Sequence, residues 1–195
     1  MRVKICGLTN LEDAVLCETL GADAVGFVNY AGRKRSLMMD DISDICSSLG
    51  PIITKVLVCA PKDLDSGMDM FVRSDVDALQ LYSLDPLDLE ELQEHGIKVI
   101  RAVPPDREEA GKYAHCSDAL LFEGGIPGSG TSYDYSSIPL DCCRRPIIAG
   151  GLNSDNVELA KSLKPYALDV SSGVESSPGK KDPYLVEEFV RRCRL

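Results

Sequence analysis

Two side chains of the kinds that transfer protons in enzymes stand where apolar runs of the chain end. Cys6 closes the run 2–6 and is followed directly by Gly7, and Glu123 follows the run 118–122. Each has a plain structural explanation, because cysteine is commonly a small buried apolar residue and a loop carboxylate is commonly solvated. Their positions nevertheless make both candidate functional residues, since a side chain at a strand end faces the mouth of a cavity in several α/β folds.

A second group of candidates lies in two turns rich in glycine and serine. Gly150 and Gly151 follow the run 145–150, and Ser171 and Ser172 come shortly after Asp169. Exposed backbone N–H groups at such turns bind anions, although a tight turn is the commoner reason for paired glycines. Following the last two apolar runs of the chain, these turns are predicted to form a phosphate site. Arg35, in "AGRKRSL", is either one charge of a solvated loop or a ligand for an acid group.

The elements that must position these residues are short runs rich in valine, isoleucine and leucine, separated by segments with helical spacing. Such strands alternating with amphipathic helices predict a parallel sheet covered by helices. Eight units favour a closed (β/α)8 TIM barrel with short helices in a single domain, 1–195, whose active site lies at the carboxyl ends of the strands. The runs are 2–6, 23–28, 53–58, 77–81, 98–103, 118–122, 145–150 and 166–171.

Several helix starts are also visible in the sequence. Asp85-Pro86 and Asp182-Pro183 each place a capping acid before a proline, and "TNLE" from Thr9 is a candidate capping box. Two connections are expected to be irregular. One is "PPDREEAGKYAHCS" after the fifth run, and the other, after the sixth, is rich in glycine, serine and proline.

Composition limits the kinds of partner that this chain binds. Its 195 residues carry a formal net charge of −10, which disfavours nucleic acid and anionic membranes and favours a small solute as ligand. No run is long enough to span a bilayer, and no signal peptide is evident, so we expect a cytosolic location. The eight cysteines are scattered through predicted strands and helices, and we expect free thiols and no metal site.

Six segments, spread over nearly the whole chain, match a known family in order: "KICGLT" (4–9), "GADAVGFV" (21–28), "LQL" (79–81), "GSGTSYDY" (128–135), "AGGLNSDNV" (149–157) and "DVSSGVESSPGKKD" (169–182). In these segments the chain resembles the phosphoribosylanthranilate isomerase family of tryptophan biosynthesis. Arg35 matches the arginine of that family's Ser-Pro-Arg loop.

The resemblance implies an Amadori rearrangement that needs no cofactor. It converts N-(5′-phosphoribosyl)anthranilate to 1-(2-carboxyphenylamino)-1-deoxyribulose 5-phosphate. By the same resemblance, Cys6 is the base that removes the C2′ proton, and Gly7 leaves room for the substrate. We expect the site to favour the thiolate form of Cys6 through the bound substrate and nearby donors. Arg35 is expected to bind the anthranilate carboxylate, with Asp169 near the substrate nitrogen.

The phosphate is expected to lie among Gly150, Gly151, Ser171 and Ser172. The oligomeric state, monomer or homodimer, stays open.

The chain departs from the family pattern at three places. Glu123 stands where the family has aspartate, and we expect it to have taken over the role of general acid. The family's Gln-Leu-His-Gly reads "QLYS" at 80–83, and the Ser-Pro before Arg35 is missing.

These departures keep two alternatives open. One is an isomerase acting on an aminoimidazole ribotide, alone or as a second substrate, although that activity uses paired aspartates and Cys6 occupies the place of one of them. The other is a phosphate-ligand binder that has lost catalysis. Assays of the purified protein with each aminosugar distinguish the three candidate functions.

Overall fold

Eight parallel strands form a closed barrel in chain order, with the last strand pairing back to the first. The computed structural model describes residues 1–124 and 131–195. The predicted (β/α)8 barrel is confirmed, and every predicted run coincides with its strand to within one residue at each end. The strands are β1 (Arg2–Cys6), β2 (Ala24–Asn29), β3 (Thr54–Cys59), β4 (Ala78–Leu81), β5 (Lys98–Val103), β6 (Ala119–Glu123), β7 (Pro146–Ala149) and β8 (Ala167–Val170).

Short helices cover the outside of the barrel. Asp85 and Asp182 cap α4 and α7 as predicted, each accepting backbone N–H bonds. The capping box from Thr9 is wrong, because Asn10 caps α1 and the Thr9 hydroxyl donates instead to the Gly179 carbonyl oxygen. The helices of the described residues are α1 (Leu11–Thr19), α2 (Met39–Ser48), α3 (Leu64–Ser74), α4 (Pro86–Glu94), α5 (Arg107–Tyr113), α6 (Val157–Ser162) and α7 (Pro183–Arg194).

The two connections that were expected to be irregular differ from each other. The one after β5 contains α5, because Asp106 accepts a hydrogen bond from the Glu109 amide and starts a seven-residue helix. After β6 the described residues form only two 3-10 turns, Tyr135–Ser137 and Leu140–Cys142, in agreement with the sequence. Residues 125–130, which include the glycines of the predicted "GSG" motif at 128–130, lie outside the described residues.

Apolar packing occurs on both sides of the strands. The larger cluster fills the space between strands and helices, and α7 adds Val186, Phe189 and Val190 to it. Burying each such side chain contributes about 1.5–3 kcal/mol, an upper estimate that ignores residual burial in the unfolded chain. Inside the barrel a smaller cluster consists of Ala102, Ala119, Leu121, Ile147, Ala149 and Ala167. Small side chains there leave room above them for polar groups.

A short antiparallel hairpin follows β8 and was not predicted. It consists of β9 (Glu175–Ser177) and β10 (Lys180–Lys181). The hairpin brings Glu175 and Lys181 to the carboxyl end of the barrel, where they contact the site described below. None of the helices within residues 1–124 and 131–195 is long and apolar enough to cross a membrane.

Candidate active site

A cavity of about 700 Å³ opens at the carboxyl ends of the strands, where the fold predicts the site. Six of the eight predicted site residues line it. Gly150 and Gly151 are absent from its lining as far as the described residues define it. The six lining residues are Cys6, Arg35, Glu123, Asp169, Ser171 and Ser172.

Cys6 lies inside the barrel beside a buried lysine. Residues two apart on a strand face the same side, so Lys4 and Cys6 both point into the interior. A methyl group on Gly26 of β2 would lie 2.8 Å from Cys6 Sγ and 3.0 Å from Lys4 Nζ, so this glycine makes space for both groups. Burial raises the pKa of the Cys6 thiol, and the Lys4 cation lowers it only in part. The Lys4 cation is thus one of the nearby donors that were expected to favour the thiolate, and the contribution expected from bound substrate stays a prediction.

Lys4 and Asp169 form an ion pair within the barrel. The two residues are directly opposite in the pairing of β1 with β8, and Lys4 Nζ lies 2.7 Å from Asp169 Oδ1. Their side chains are only 4% and 9% exposed. Burial lowers the pKa of Lys4, but the charges of Asp169 and Cys6 outweigh it, and the pKa is raised above its ordinary value. Lys4 therefore remains an ammonium that holds the Asp169 carboxylate at the cavity wall.

Glu123 ends β6 and accepts a hydrogen bond from a tyrosine across the cavity. The Tyr82 hydroxyl donates to Glu123 Oε2 over 2.7 Å. Burial and the negative charge of Glu123 raise the pKa of Tyr82 above its ordinary value, so its hydroxyl remains a donor. Gln80, buried two residues earlier, leaves its Oε1 without a hydrogen bond among the described residues. This amide oxygen is available to a donor group of a ligand in the same cavity.

Arg35 is held by a carboxylate of the hairpin. Its Nε and Nη2 donate to the two oxygens of Glu175 over 2.7 and 2.6 Å. Lys181, fully buried, donates to Glu175 Oε1 over 2.9 Å and to the carbonyl oxygens of Cys6 and Ser171. This network fixes the Arg35 guanidinium at the cavity wall. Glu175 therefore already accepts hydrogen bonds from two of the guanidinium nitrogens of Arg35, the group that was expected to bind the substrate carboxylate.

Gly7 lines the cavity between Arg35 and Ser171. Its φ of 74° lies in the left-handed region, which favours glycine. A methyl group there would overlap Arg35 Cδ and lie 2.8 Å from Ser171 Oγ. A larger residue at this position would therefore collide with two cavity residues, and the expectation that Gly7 leaves room for the substrate stays a prediction.

The turns after β7 and β8 lie together, as the barrel order predicts. A methyl group on Gly173 would overlap the Leu152 carbonyl oxygen, which shows how closely the two turns approach. Gly150 and Gly151 have φ values of 90° and 66°. Gly151 packs closely against the backbone of 131–132.

Four functional candidates escaped the sequence analysis: Lys4, Tyr82, Glu175 and Lys181. Lys4 carried a signal, because it lies two residues before Cys6 and must share its side of the strand. Tyr82 was visible only as a departure from a family pattern. Glu175 and Lys181 lie in the matching segment 169–182, but their contacts with Arg35 and with the Cys6 carbonyl oxygen join positions that are remote in the chain.

A closed parallel barrel with ionisable side chains at the carboxyl ends of its strands defines the class of (β/α)8-barrel enzymes. Residues 3–192 match the family described as N-(5′-phosphoribosyl)anthranilate (PRA) isomerase. The chain belongs to this family. The N-(5′-phosphoribosyl)anthranilate isomerase of Thermotoga neapolitana is 39% identical over 204 residues, covering 100% of this chain and 98% of that protein.

Two solved structures cover 100% of this chain and 98% of their own. One is phosphoribosyl anthranilate isomerase in complex with reduced 1-(o-carboxyphenylamino)-1-deoxyribulose 5-phosphate, with a TM-score of 0.88 and 36% identity. The other contains monomers generated from the dimeric enzyme of Thermotoga maritima, with a TM-score of 0.90 and 34% identity.

Proposed function

We propose that this chain converts N-(5′-phosphoribosyl)anthranilate to 1-(2-carboxyphenylamino)-1-deoxyribulose 5-phosphate, with Cys6 as the base and Glu123 as the acid. The observation that carries the proposal is that a thiol and a carboxyl group line one cavity at the carboxyl ends of β1 and β6. The rearrangement needs both groups, because one proton must be added to an oxygen and another removed from carbon.

The proposed reaction proceeds through two proton transfers. Glu123 donates its proton to the furanose ring oxygen as the C1′–O bond breaks, and the nitrogen lone pair forms the C1′=N bond of an iminium. The Cys6 thiolate then removes the C2′ proton, the C–H electron pair becomes the C1′=C2′ bond, and the C=N pair returns to nitrogen. Protonation of C1′ with loss of the 2′-hydroxyl proton yields the ketone.

The substrate contributes to forming the thiolate. In the free site burial keeps the Cys6 pKa high, despite Lys4. The iminium places a positive charge on the carbon next to C2′, which adds an attraction that the free site lacks. The thiolate is thus favoured when the ring has opened, and the buried thiol is protected from side reactions before that.

Binding roles follow from the cavity wall. Glu175 accepts hydrogen bonds from Nε and Nη2 of Arg35 and not from Nη1. Arg35 is proposed to bind the anthranilate carboxylate through Nη1. Asp169 lies near the substrate nitrogen in this scheme. Ser171 and Ser172 line the cavity and are proposed to bind the phosphate, with Gly150 and Gly151 in the adjoining turn completing that site.

The wider setting of the enzyme is also part of the proposal. All eight cysteines are free thiols, which suits a reducing cytosolic location. We propose that residues 1–195 act as one domain, and that the protein is a homodimer, as stated for the Thermotoga maritima relative. Size-exclusion chromatography with light scattering tests the oligomeric state.

The experiment that tests the function is turnover of the purified protein with N-(5′-phosphoribosyl)anthranilate, followed by chromatography of the ketose product. Cys6→Ala and Cys6→Ser should abolish activity, because neither supplies a thiolate. Glu123→Gln should lower kcat by roughly 10²–10⁴, the range for loss of a general acid. Cys142→Ala, at a half-buried thiol outside the cavity, is the matched control.

The outcomes separate the rival functions. Parental activity in Cys6→Ala would exclude the thiol as the base. Turnover of an aminoimidazole ribotide in place of the anthranilate compound would assign the other substrate. Tight product binding by a parent protein without turnover would indicate a binder.

A further inference from the structure

Two positions that depart from the family pattern contact each other in this chain. Tyr82 stands at the third position of "QLYS", and Glu123 ends β6, 41 residues later. The Tyr82 hydroxyl donates to Glu123 Oε2 over 2.7 Å, and both residues line the cavity. Glu123 is thus longer than the aspartate of the family pattern, and the Tyr82 hydroxyl fixes one of its carboxyl oxygens.

We propose that Tyr82 is a positioning residue for Glu123: it binds Oε2, orients Oε1 toward the ring oxygen of the substrate, and stabilises the carboxylate formed by proton transfer. This inference rests on the proposed role of Glu123 as the acid. Glutamate has one more rotatable bond than aspartate, so it needs a fixed partner to hold its carboxyl group in one place.

Tyr82 is itself well anchored. Its backbone N–H donates to the Cys59 carbonyl oxygen at the end of β3 over 3.1 Å. Its ring lies against Tyr30, with centroids 6.4 Å apart. Its side chain is partly buried, and its raised pKa keeps the hydroxyl protonated at neutral pH. The hydroxyl is thus a preorganised donor.

The Tyr82 hydrogen bond strengthens during the reaction. Oε2 belongs to a neutral acid before proton transfer and to a carboxylate afterwards, and hydrogen bonds to charged acceptors are roughly twice as strong as neutral ones. An interaction that is stronger in the transition state than in the ground state raises kcat and leaves substrate binding nearly unchanged. Tyr82→Phe should therefore lower kcat by about tenfold to hundredfold with KM within about twofold of the parent.

A double-mutant cycle tests the inference. kcat and KM are measured for the parent, Tyr82→Phe, Glu123→Gln and the double variant. Phenylalanine has the same shape without the hydroxyl, so the fold is retained, and near-ultraviolet circular dichroism checks this. Tyr113→Phe removes a half-buried hydroxyl outside the cavity and is the matched control, with expected parental kinetics.

If Tyr82 acts through Glu123, Tyr82→Phe causes almost no further loss in the Glu123→Gln background. An equal loss in both backgrounds, or parental kcat in Tyr82→Phe, overturns the inference while the role of Glu123 stands. Parental kcat in Glu123→Gln alone overturns the role of Glu123, and the inference with it. A merely structural effect would instead raise KM and add to the effect of Glu123→Gln.

Discussion

Among the described residues, Lys4 is the only side chain that forms an ion pair with the buried Asp169 carboxylate. Replacing Lys4 by methionine removes this partner. The Lys4 ammonium lies 2.7 Å from Asp169 Oδ1, and both side chains are less than one tenth exposed. Methionine has a similar length and no charge, so Lys4→Met changes the electrostatics of the barrel interior more than its packing. The variant leaves Asp169 in an apolar interior beside Cys6.

The expected magnitude follows from that burial. Breaking a buried ion pair by removing one partner costs about 3–5 kcal/mol, because the remaining charge has lost its compensation. For a chain of this size each kcal/mol lowers Tm by about 2–4 °C, so we expect a fall of roughly 6–20 °C.

Urea unfolding followed by circular dichroism measures the change in the free energy of unfolding. Lys112→Met is the matched control, since its pair with Glu109 is exposed to solvent and is expected to contribute little to stability. Lys4→Met combined with Asp169→Leu should be more stable than Lys4→Met alone, because it removes the uncompensated charge. A loss below about 1 kcal/mol in Lys4→Met would refute the reasoning.

Three further predictions concern the thiol, the turn and the hairpin. Burial raises the pKa of Cys6, so alkylation of Cys6 without substrate should be slow at pH 7 and should accelerate as the pH rises above the ordinary pKa of a thiol. Mass spectrometry of the peptide that contains Cys6 measures the rate. A rate that is already maximal at pH 7 would contradict this. Gly7→Ala should lower the free energy of unfolding, measured in urea, by at least about 1–2 kcal/mol, because φ is positive at this position and the added methyl group would contact Arg35. Unchanged stability would exclude that contact. Burial raises the pKa of Glu175, but its hydrogen bonds to Arg35 and Lys181 outweigh burial and hold the pKa below its ordinary value. The stability that Glu175 contributes is therefore present above its pKa in the unfolded chain and is lost as pH falls through its pKa in the folded protein. Urea midpoints between neutral and acidic pH should therefore fall more steeply in the parent than in Glu175→Gln, and parallel curves would speak against the network.

The order of the elements was predictable from the sequence because each element carries its own local signal. Buried parallel strands are continuous apolar runs, and aspartate before proline starts a helix wherever it stands. Residues at the ends of β1, β6 and β8 were predictable as site residues for the same reason, since strand ends and barrel order fix the edge of the sheet at which they lie. Five of the six predicted residues that line the cavity lie at or just after these strand ends, and the sixth, Arg35, was expected there from the family resemblance.

The connection after β5 marks the limit of such local reasoning. The segment "PPDREEAGKYAHCS" was expected to be irregular, but Asp106 caps a seven-residue helix within it. A weak helical segment becomes a helix when the barrel surface covers its apolar side, so packing decides the outcome. The hairpin Glu175–Lys181 was missed for a related reason, because strands of two and three residues carry no periodicity.

What the sequence by itself determined is the barrel and the edge at which its site lies, together with the types of group available there. Only the tertiary structure decided which groups are paired. Lys4 meets Asp169 across 165 positions, and Arg35 meets Glu175 across 140, because closing the barrel brings the first and last strands together. Those contacts set the charge of the interior, and the pKa of Cys6 reflects its burial together with the nearby charges of Lys4 and Asp169. No local pattern encodes them, since the Coulomb energy of a pair depends on its separation in space and on the burial of both partners.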